Sequence, residues 1–344
     1  MSDVPAFAVI SGAQVHDTVH GREPEVIGLI ETAYRLHGTG ETTNPDSYFL
    51  RFADRPSARI IALPASVRGK VEVHGMKWIS SFPENVAAGI PRASAVLILN
   101  DYATGYPLAC LESSIISAAR TAASAALAAD RLAAGRGGMP RRLGIVGAGV
   151  IARYVHTYLA GNGAEFDSVG VFDLSPAHAS GFRDYLTGRG QDDVRVYDDV
   201  DELLRENSLI VFTTVAGEPH LHDPGLFAHN PLVLHVSLRD LAPEIILSAF
   251  NVVDDVEHCM KANTSVHLTE QRVGHRNFVA GTLYDVLTGR ITAPADRPVI
   301  FSPFGLGVLD LMLAKHVYDR LATAGQLRDV PGFFHDMSRY GAPA

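Results

Sequence analysis

The segment RRLGIVGAGVIARYV, residues 141–155, constrains this chain more than any other. An apolar β-rich run, RLGIVG, enters Gly147-Ala148-Gly149 and leaves with helical spacing. In the pattern Gly147-x-Gly149-x-x-Ala152 the first glycine permits a tight turn and the second admits a pyrophosphate to the backbone. The small Ala152 lets helix and strand pack closely, and the N–H groups of Val150 and Ile151 open the helix toward the phosphates. Such a motif alone is often only a tight turn. The next β-rich run, SVGVFD (168–173), ends in Asp173, where an acid accepts hydrogen bonds from the adenosine ribose and repels a 2′-phosphate. The following DLSP brings no arginine, so NAD is expected rather than NADP. A helix N-cap or a solvated loop acid is the alternative role for Asp173.

Further β-rich runs follow at VRVY (194–197), SLIVFTT (208–214) and PLVLHVS (231–237), separated by helix-length segments. Near-continuous apolar runs of this kind fit a parallel sheet buried on both faces. NVVDD (251–255) and PVIFS (298–302) are expected to add strands at its edge. Thr213, Thr214 and Ser237 close two of these strands, where ligands of open α/β sheets sit. They are candidates to line a nicotinamide crevice, with ordinary loop starts as the alternative.

Ahead of the glycine turn the rhythm changes. RIIALPAS (59–66), KVEVHGMKWISSF (70–82) and SAVLILND (94–101) follow one another without long helices, which predicts antiparallel pairing. DYATGYP (101–107) reads as a turn into a long alanine- and serine-rich helix over 108–134, ended by GRGGMP (135–140). A last helix, LMLAKHVYDRLATAG, is expected to pack back on this first part. The fold class is therefore α/β: a Rossmann-type domain plus an α+β domain with a largely antiparallel sheet.

The 344 residues suit two domains, and 47% hydrophobic with 19% charged residues is globular composition. A net charge of −9 argues against a general nucleic-acid binder. No run is long and apolar enough to span a bilayer, and MSDVPAFAVISG lacks the basic start of a secretory signal. Two cysteines, Cys110 and Cys259, exclude a disulfide framework, so a cytoplasmic protein is expected.

Lys77 interrupts an otherwise apolar strand face and needs an anion or a route to water, snorkelling being the alternative. Arg120 lies among small residues and suits bidentate capture of a carboxylate or phosphate, or a structural ion pair. Arg92, in GIPRASA, is a third cation, in a loop where arginines are usually solvated. Asp240 follows a strand and either caps the next helix or serves as a base that activates water. His220 and His222, in EPHLHDP, look like a metal pair, but no third ligand stands at a convincing spacing, so no metal is expected.

KWISSFPEN (77–85), TGYPLACLESSIISAARTAASA (104–125), GAGVIA (147–152) and SPFGLGVLD (302–310) together resemble the ornithine cyclodeaminase/mu-crystallin family. KWISSFPENVAAGIPRASAVLILND and HVSLRDLAPE favour its siderophore and antibiotic branch, the NAD-dependent N-(2-amino-2-carboxyethyl)-L-glutamate dehydrogenases that make L-2,3-diaminopropionate. The resemblance implies a substrate-binding and dimerisation domain from residues 1–130 with 311–344, an NAD domain from 131–310, and a homodimer. It implies that Lys77 and Arg120 hold substrate carboxylate, and that the acid at Asp240 handles the amine and the attacking water. Arg92 stands where cyclodeaminases usually carry Thr, and Ser237-Leu238-Arg239-Asp240-Leu241-Ala242-Pro243 replaces their G-A-D-C-P-G-K type of sequence. Both departures favour a substrate with additional carboxylates over ornithine. The alternatives are ornithine cyclodeaminase, an alanine-type dehydrogenase, or a non-catalytic NAD-dependent binding protein.

Overall fold

The computed structural model describes residues 5–335, so residues 1–4 and 336–344 of the expected first domain lie outside the described residues. The described residues form two compact units, one from residues 5–22, 36–117 and 307–335, the other from residues 23–35 and 118–306.

Among the described residues the first unit holds a seven-stranded sheet. Its strands are β1 (Ala8–Ile10), β2 (Thr42–Thr43), β3 (Tyr48–Phe52), β4 (Arg55–Val67), β5 (Val73–Ser81), β6 (Ala93–Asn100) and β7 (Pro107–Glu112). The order is β1-β7-β6-β5-β4-β2, with β3 also paired to β4. Every pairing is antiparallel except that of β1 with β7. One face carries Leu63, Lys77, Leu97 and Leu111 in register, and helix Gly307–Thr323 packs against β4, β5 and β6. Alternation along these strands sets which side chains point toward that helix.

The long helix begins later than its composition predicts. Residues 107–112 alternate in burial and pair with β6, so DYATGYP is a hairpin turn and the helix runs Ser114–Ala134. Glu112, the last strand residue, accepts from the backbone N–H groups of Ser114 (2.6 Å) and Ile115 (3.2 Å), satisfying donors a helix start leaves open. Period-two burial over six residues outweighed the helix-forming composition downstream.

In the second unit an eight-stranded sheet takes the order β10-β9-β8-β11-β12-β15-β13-β14, parallel throughout. The ranges are β8 (Arg142–Val146), β9 (Ser168–Phe172), β10 (Val194–Val196), β11 (Leu209–Phe212), β12 (Leu232–His235), β13 (Phe250–Val253), β14 (Val279–Thr282) and β15 (Val299–Ser302). The stretch PVIFS is thus not an edge strand: β15 inserts between β12 and β13, and its four residues are all buried. The chain winds outward from β8 to β10 and returns to β11 on the other side, which makes the carboxyl ends of β8 and β11 the switch point where such sheets bind ligands. A core including Ile210, Phe212, Val233, Ile245 and Ile300 fixes this edge. No helix of the described residues is long and apolar enough to cross a membrane.

Candidate active site

Gly147 follows β8 with φ +92°, a conformation that side chains resist, and a Cβ there would lie 3.0 Å from the backbone of Thr213 and Thr214. Thr213 Oγ1 donates to the Gly147 carbonyl at 2.7 Å, so the turn is clamped onto the end of β11. Gly149 is different. It is the N-cap of helix Val150–Gly161, it supplies no side-chain cap, and an added Cβ would meet nothing within 4 Å. Nothing within the chain requires a glycine at this point; the space and the open N–H groups fit a phosphate. Val150, the first helical residue, is exposed. Asp173 closes the site from β9, accepting from Ala148 N and Ser175 N, each at 2.8 Å. Ser175 rather than Asp173 caps the next helix, Pro176–Thr187. These residues fit the pyrophosphate and ribose of a dinucleotide.

Asp240 gathers a second group at the carboxyl ends of β11 and β12. It is fully buried, and its Oδ1 accepts from Thr214 Oγ1 while Oδ2 accepts from Ser237 Oγ. His220 Nε2 lies 3.1 Å from Oδ1, and His235 Nε2 lies 3.2 Å from Oδ2. Burial acts to raise the carboxyl's pKa, but hydrogen bonds from His220, His235 and Ser237 outweigh it and hold Asp240 well below the usual carboxylate range. It does not cap the next helix: Pro243–Ser248 has Ala242 at its N-cap. Thr214 and Ser237 spend their hydroxyls on this aspartate. His220, which the sequence offered as half of a metal pair or a loop residue, is thus Asp240's partner, and His222 is exposed.

Arg120 projects from the long helix onto the turn after β15. Its Nη1 would lie 2.7 Å from a Cβ at Gly305, whose φ is +94°. Asp254, after β13, accepts from Gly305 N (2.7 Å) and Phe304 N (2.9 Å) and holds that turn. Buried Tyr34 shares this neighbourhood. Burial raises its phenol's pKa, the Asp254 charge adds to this, and the Arg120 charge opposes it. Neither Asp254 nor Tyr34 carries a signal in the sequence that links it to Arg120.

In the first unit Lys77 is 2% exposed, and its Nζ donates to Asp310 Oδ2 at 2.8 Å and to Ser117 Oγ at 3.2 Å. The anion that a buried lysine requires comes from helix Gly307–Thr323, and the lysine does not snorkel. On the same sheet face, one end of β5 is cationic and unanswered. Arg59 of β4 is in register with Arg51 of β3 on one side and Ser81 of β5 on the other. Arg92 Nη1 donates to Ser81 Oγ at 2.8 Å, and the Arg92 carbonyl accepts from Phe82 N at 2.8 Å. Burial and the Arg59 charge pull the Arg92 guanidinium below its ordinary value, and burial and Arg51 do the same to Arg59. Among the described residues no carboxylate pairs with Arg51, Arg59 or Arg92. Arg92 is thus not a solvated loop residue, and Arg59 is a cation that reading the sequence by motif missed.

Two curated relatives are 27% identical to this chain. One is the N-((2S)-2-amino-2-carboxyethyl)-L-glutamate dehydrogenase of Staphylococcus aureus, matched over 76% of this chain and 79% of that protein. The other is the alanine dehydrogenase of Archaeoglobus fulgidus, matched over 86% of this chain and 89% of that protein. The solved structure of an archaeal alanine dehydrogenase dimer with bound NAD superposes with a TM-score of 0.82 at 24% identity, covering 95% of this chain and all of that one. The family model of ornithine cyclodeaminase and mu-crystallin matches residues 9–325, and the chain belongs to the ornithine cyclodeaminase/mu-crystallin family.

Proposed function

We propose that this protein oxidises N-[(2S)-2-amino-2-carboxyethyl]-L-glutamate with NAD, releasing L-2,3-diaminopropionate, 2-oxoglutarate and NADH. Its family and its solved neighbours support an NAD-dependent oxidoreductase of amino-acid-like substrates. The observation that carries the finer reading is the set of arginines at the end of β5. Arg51, Arg59 and Arg92 stand together without a carboxylate, which suits a substrate bearing several carboxylates and disfavours one with a cationic far end.

On this reading Lys77 and Arg120 bind substrate carboxylate, Arg92 binds a further one, and Asp240 belongs to the amine and water end. The NAD site is Gly147, Gly149, Val150, Ile151 and Asp173, with Thr213, Thr214 and Ser237 shaping the crevice edge. A bound NAD would supply the acceptor for the hydride of the glutamate α-carbon, turning the C–N bond into C=N. Water then adds to that carbon, and collapse gives the keto acid and the free amine. The protein's contribution is to hold the carboxylates and exclude stray water.

The same reading places the enzyme in the cytoplasm, in siderophore or antibiotic biosynthesis, as a homodimer. The sheet face opposite Lys77 supports the dimer, because it leaves Val9, Trp78 and Val96 exposed, the last two paired in register. Light scattering is expected to show a dimer that Trp78→Glu dissociates.

The activity test supplies NAD with the conjugate, L-ornithine or L-alanine. NADH with both products from the conjugate supports the reading, and Arg92→Ala should then raise its KM about tenfold or more. Ammonia from ornithine without net NADH would sink it, as would faster NADH formation from alanine.

A further inference from the structure

We propose that His220 is the residue that moves protons during water addition to the C=N bond, and that Asp240 is its positioning residue. This rests on the oxidoreductase reading above but not on which amine is the substrate. Asp240 itself is poorly suited to the task. It is fully buried, and two hydroxyls and two imidazoles already occupy its oxygens. A carboxylate held so firmly in its charged form is a weak proton acceptor, whereas a catalytic base works best with a pKa near the working pH.

Among the four side chains around its oxygens only one has both proton chemistry and access. The hydroxyls of Thr214 and Ser237 do not titrate in the working range. His235 is wholly buried, and its Nδ1 faces Ser302 Oγ at 3.4 Å. The side chain of His220 is 44% exposed, and among the described residues no group bonds to its Nδ1. Its backbone is latched as well: His220 N and Leu221 N donate to the Asp240 carbonyl at 3.1 and 3.0 Å, and Ala242 N donates to the Leu221 carbonyl at 2.9 Å. The ring is thus fixed at Nε2 by the carboxylate and along its chain by this backbone pairing. The fixed tautomer carries its proton on Nε2 and offers Nδ1 as the base, the arrangement a buried aspartate imposes on a catalytic histidine.

The step balances with no further reagent. Water's oxygen bonds to the carbon of the protonated imine that hydride removal leaves, as one water proton passes to Nδ1 and the C=N electron pair moves onto nitrogen. That proton is then delivered to the nitrogen and the C–N bond breaks. The hydroxyl proton departs to solvent as C=O forms.

The informative variant is His220→Gln, whose amide retains a donor for Asp240 and lacks a base; His222→Gln, on an exposed neighbour, is the control. The assay uses whichever of the conjugate, L-ornithine or L-alanine the wild-type protein turns over fastest, so a wrong substrate reading leaves the His220 comparison intact. Expected is a first turnover of NADH near the wild-type rate, followed by steady-state turnover reduced about 100-fold or more and partly rescued by added imidazole. Steady-state turnover within twofold of wild type overturns the proposal. An equal loss in the first turnover overturns it too, because His220 would then act at or before hydride removal. Independent of activity, ¹⁵N-histidine spectra should show His220 protonated at Nε2, with this preference lost in Asp240→Asn. A wild-type His220 protonated at Nδ1 instead removes the geometric basis.

Discussion

Lys77 and Arg92 sit on one face of one sheet and have opposite fates. Lys77 is enclosed and answered by Asp310, so its charge is part of the fold. Arg92 is only partly enclosed and meets a serine hydroxyl and the like charge of Arg59. The difference separates a cation that meets a carboxylate of its own chain from one that, among the described residues, meets none. The glycine turn repeats the contrast. The chain demands Gly147, whereas at Gly149 only a ligand does.

The sharpest attempt to break the comparison is Lys77→Ala. It takes the Lys77 ammonium away from buried Asp310, and urea unfolding is expected to show a loss of about 3–5 kcal/mol. The double change Lys77→Met with Asp310→Leu should recover most of that loss. If Lys77→Ala is as stable as the parent, the pair is not structural, and activity lost in that variant can be assigned to substrate binding.

His156 tests a third case, a buried base with no partner. Its Nε2 is unsatisfied, and burial, then the Arg189 charge, lowers its pKa from 6.5 to about 4. The folded value lies below the unfolded one, so the unfolded chain binds the proton first. This contribution to stability is present above pH 6.5 and is lost as pH falls toward 4, by about 3 kcal/mol at most. His156→Phe should flatten the stability profile across that window, and an unchanged slope would show that other groups set it.

Smaller effects distinguish the glycines. Gly147→Ala forces a side chain into positive φ against Thr213 and should cost about 1–3 kcal/mol. Gly149→Ala should change stability by no more than about 0.5 kcal/mol while weakening NAD binding roughly tenfold by calorimetry. The smallest expected stability effect is that of Arg92→Ala, within about 0.5 kcal/mol, because removing it breaks no ion pair and relieves repulsion from Arg59.

The nucleotide half was legible because its signals are local. The glycine turn, Asp173 and the buried β-runs each declare themselves within a few residues, and period and composition agree. What stayed hidden depends on distant partners. Asp310 is 233 residues from Lys77, and β1 joins the sheet beside β7, about a hundred residues on. His220 looked like half of a metal pair because spacing cannot show that its ring turns toward Asp240. The strand over 107–112 was masked by the helix that follows it. Arg59 is one arginine among many until register places it between Arg51 and Ser81.

The reach of the Lys77–Asp310 pair also sets an order of events during synthesis. A growing chain can finish the second unit once residue 306 has emerged, since all its residues lie before that point. The first unit must wait. Its sheet is nearly complete by residue 112, yet Asp310, which Lys77 meets in the finished fold, is made only with helix Gly307–Thr323. The part of the chain made first is therefore the part that closes last, its contact with Asp310 delayed through the making of some two hundred residues.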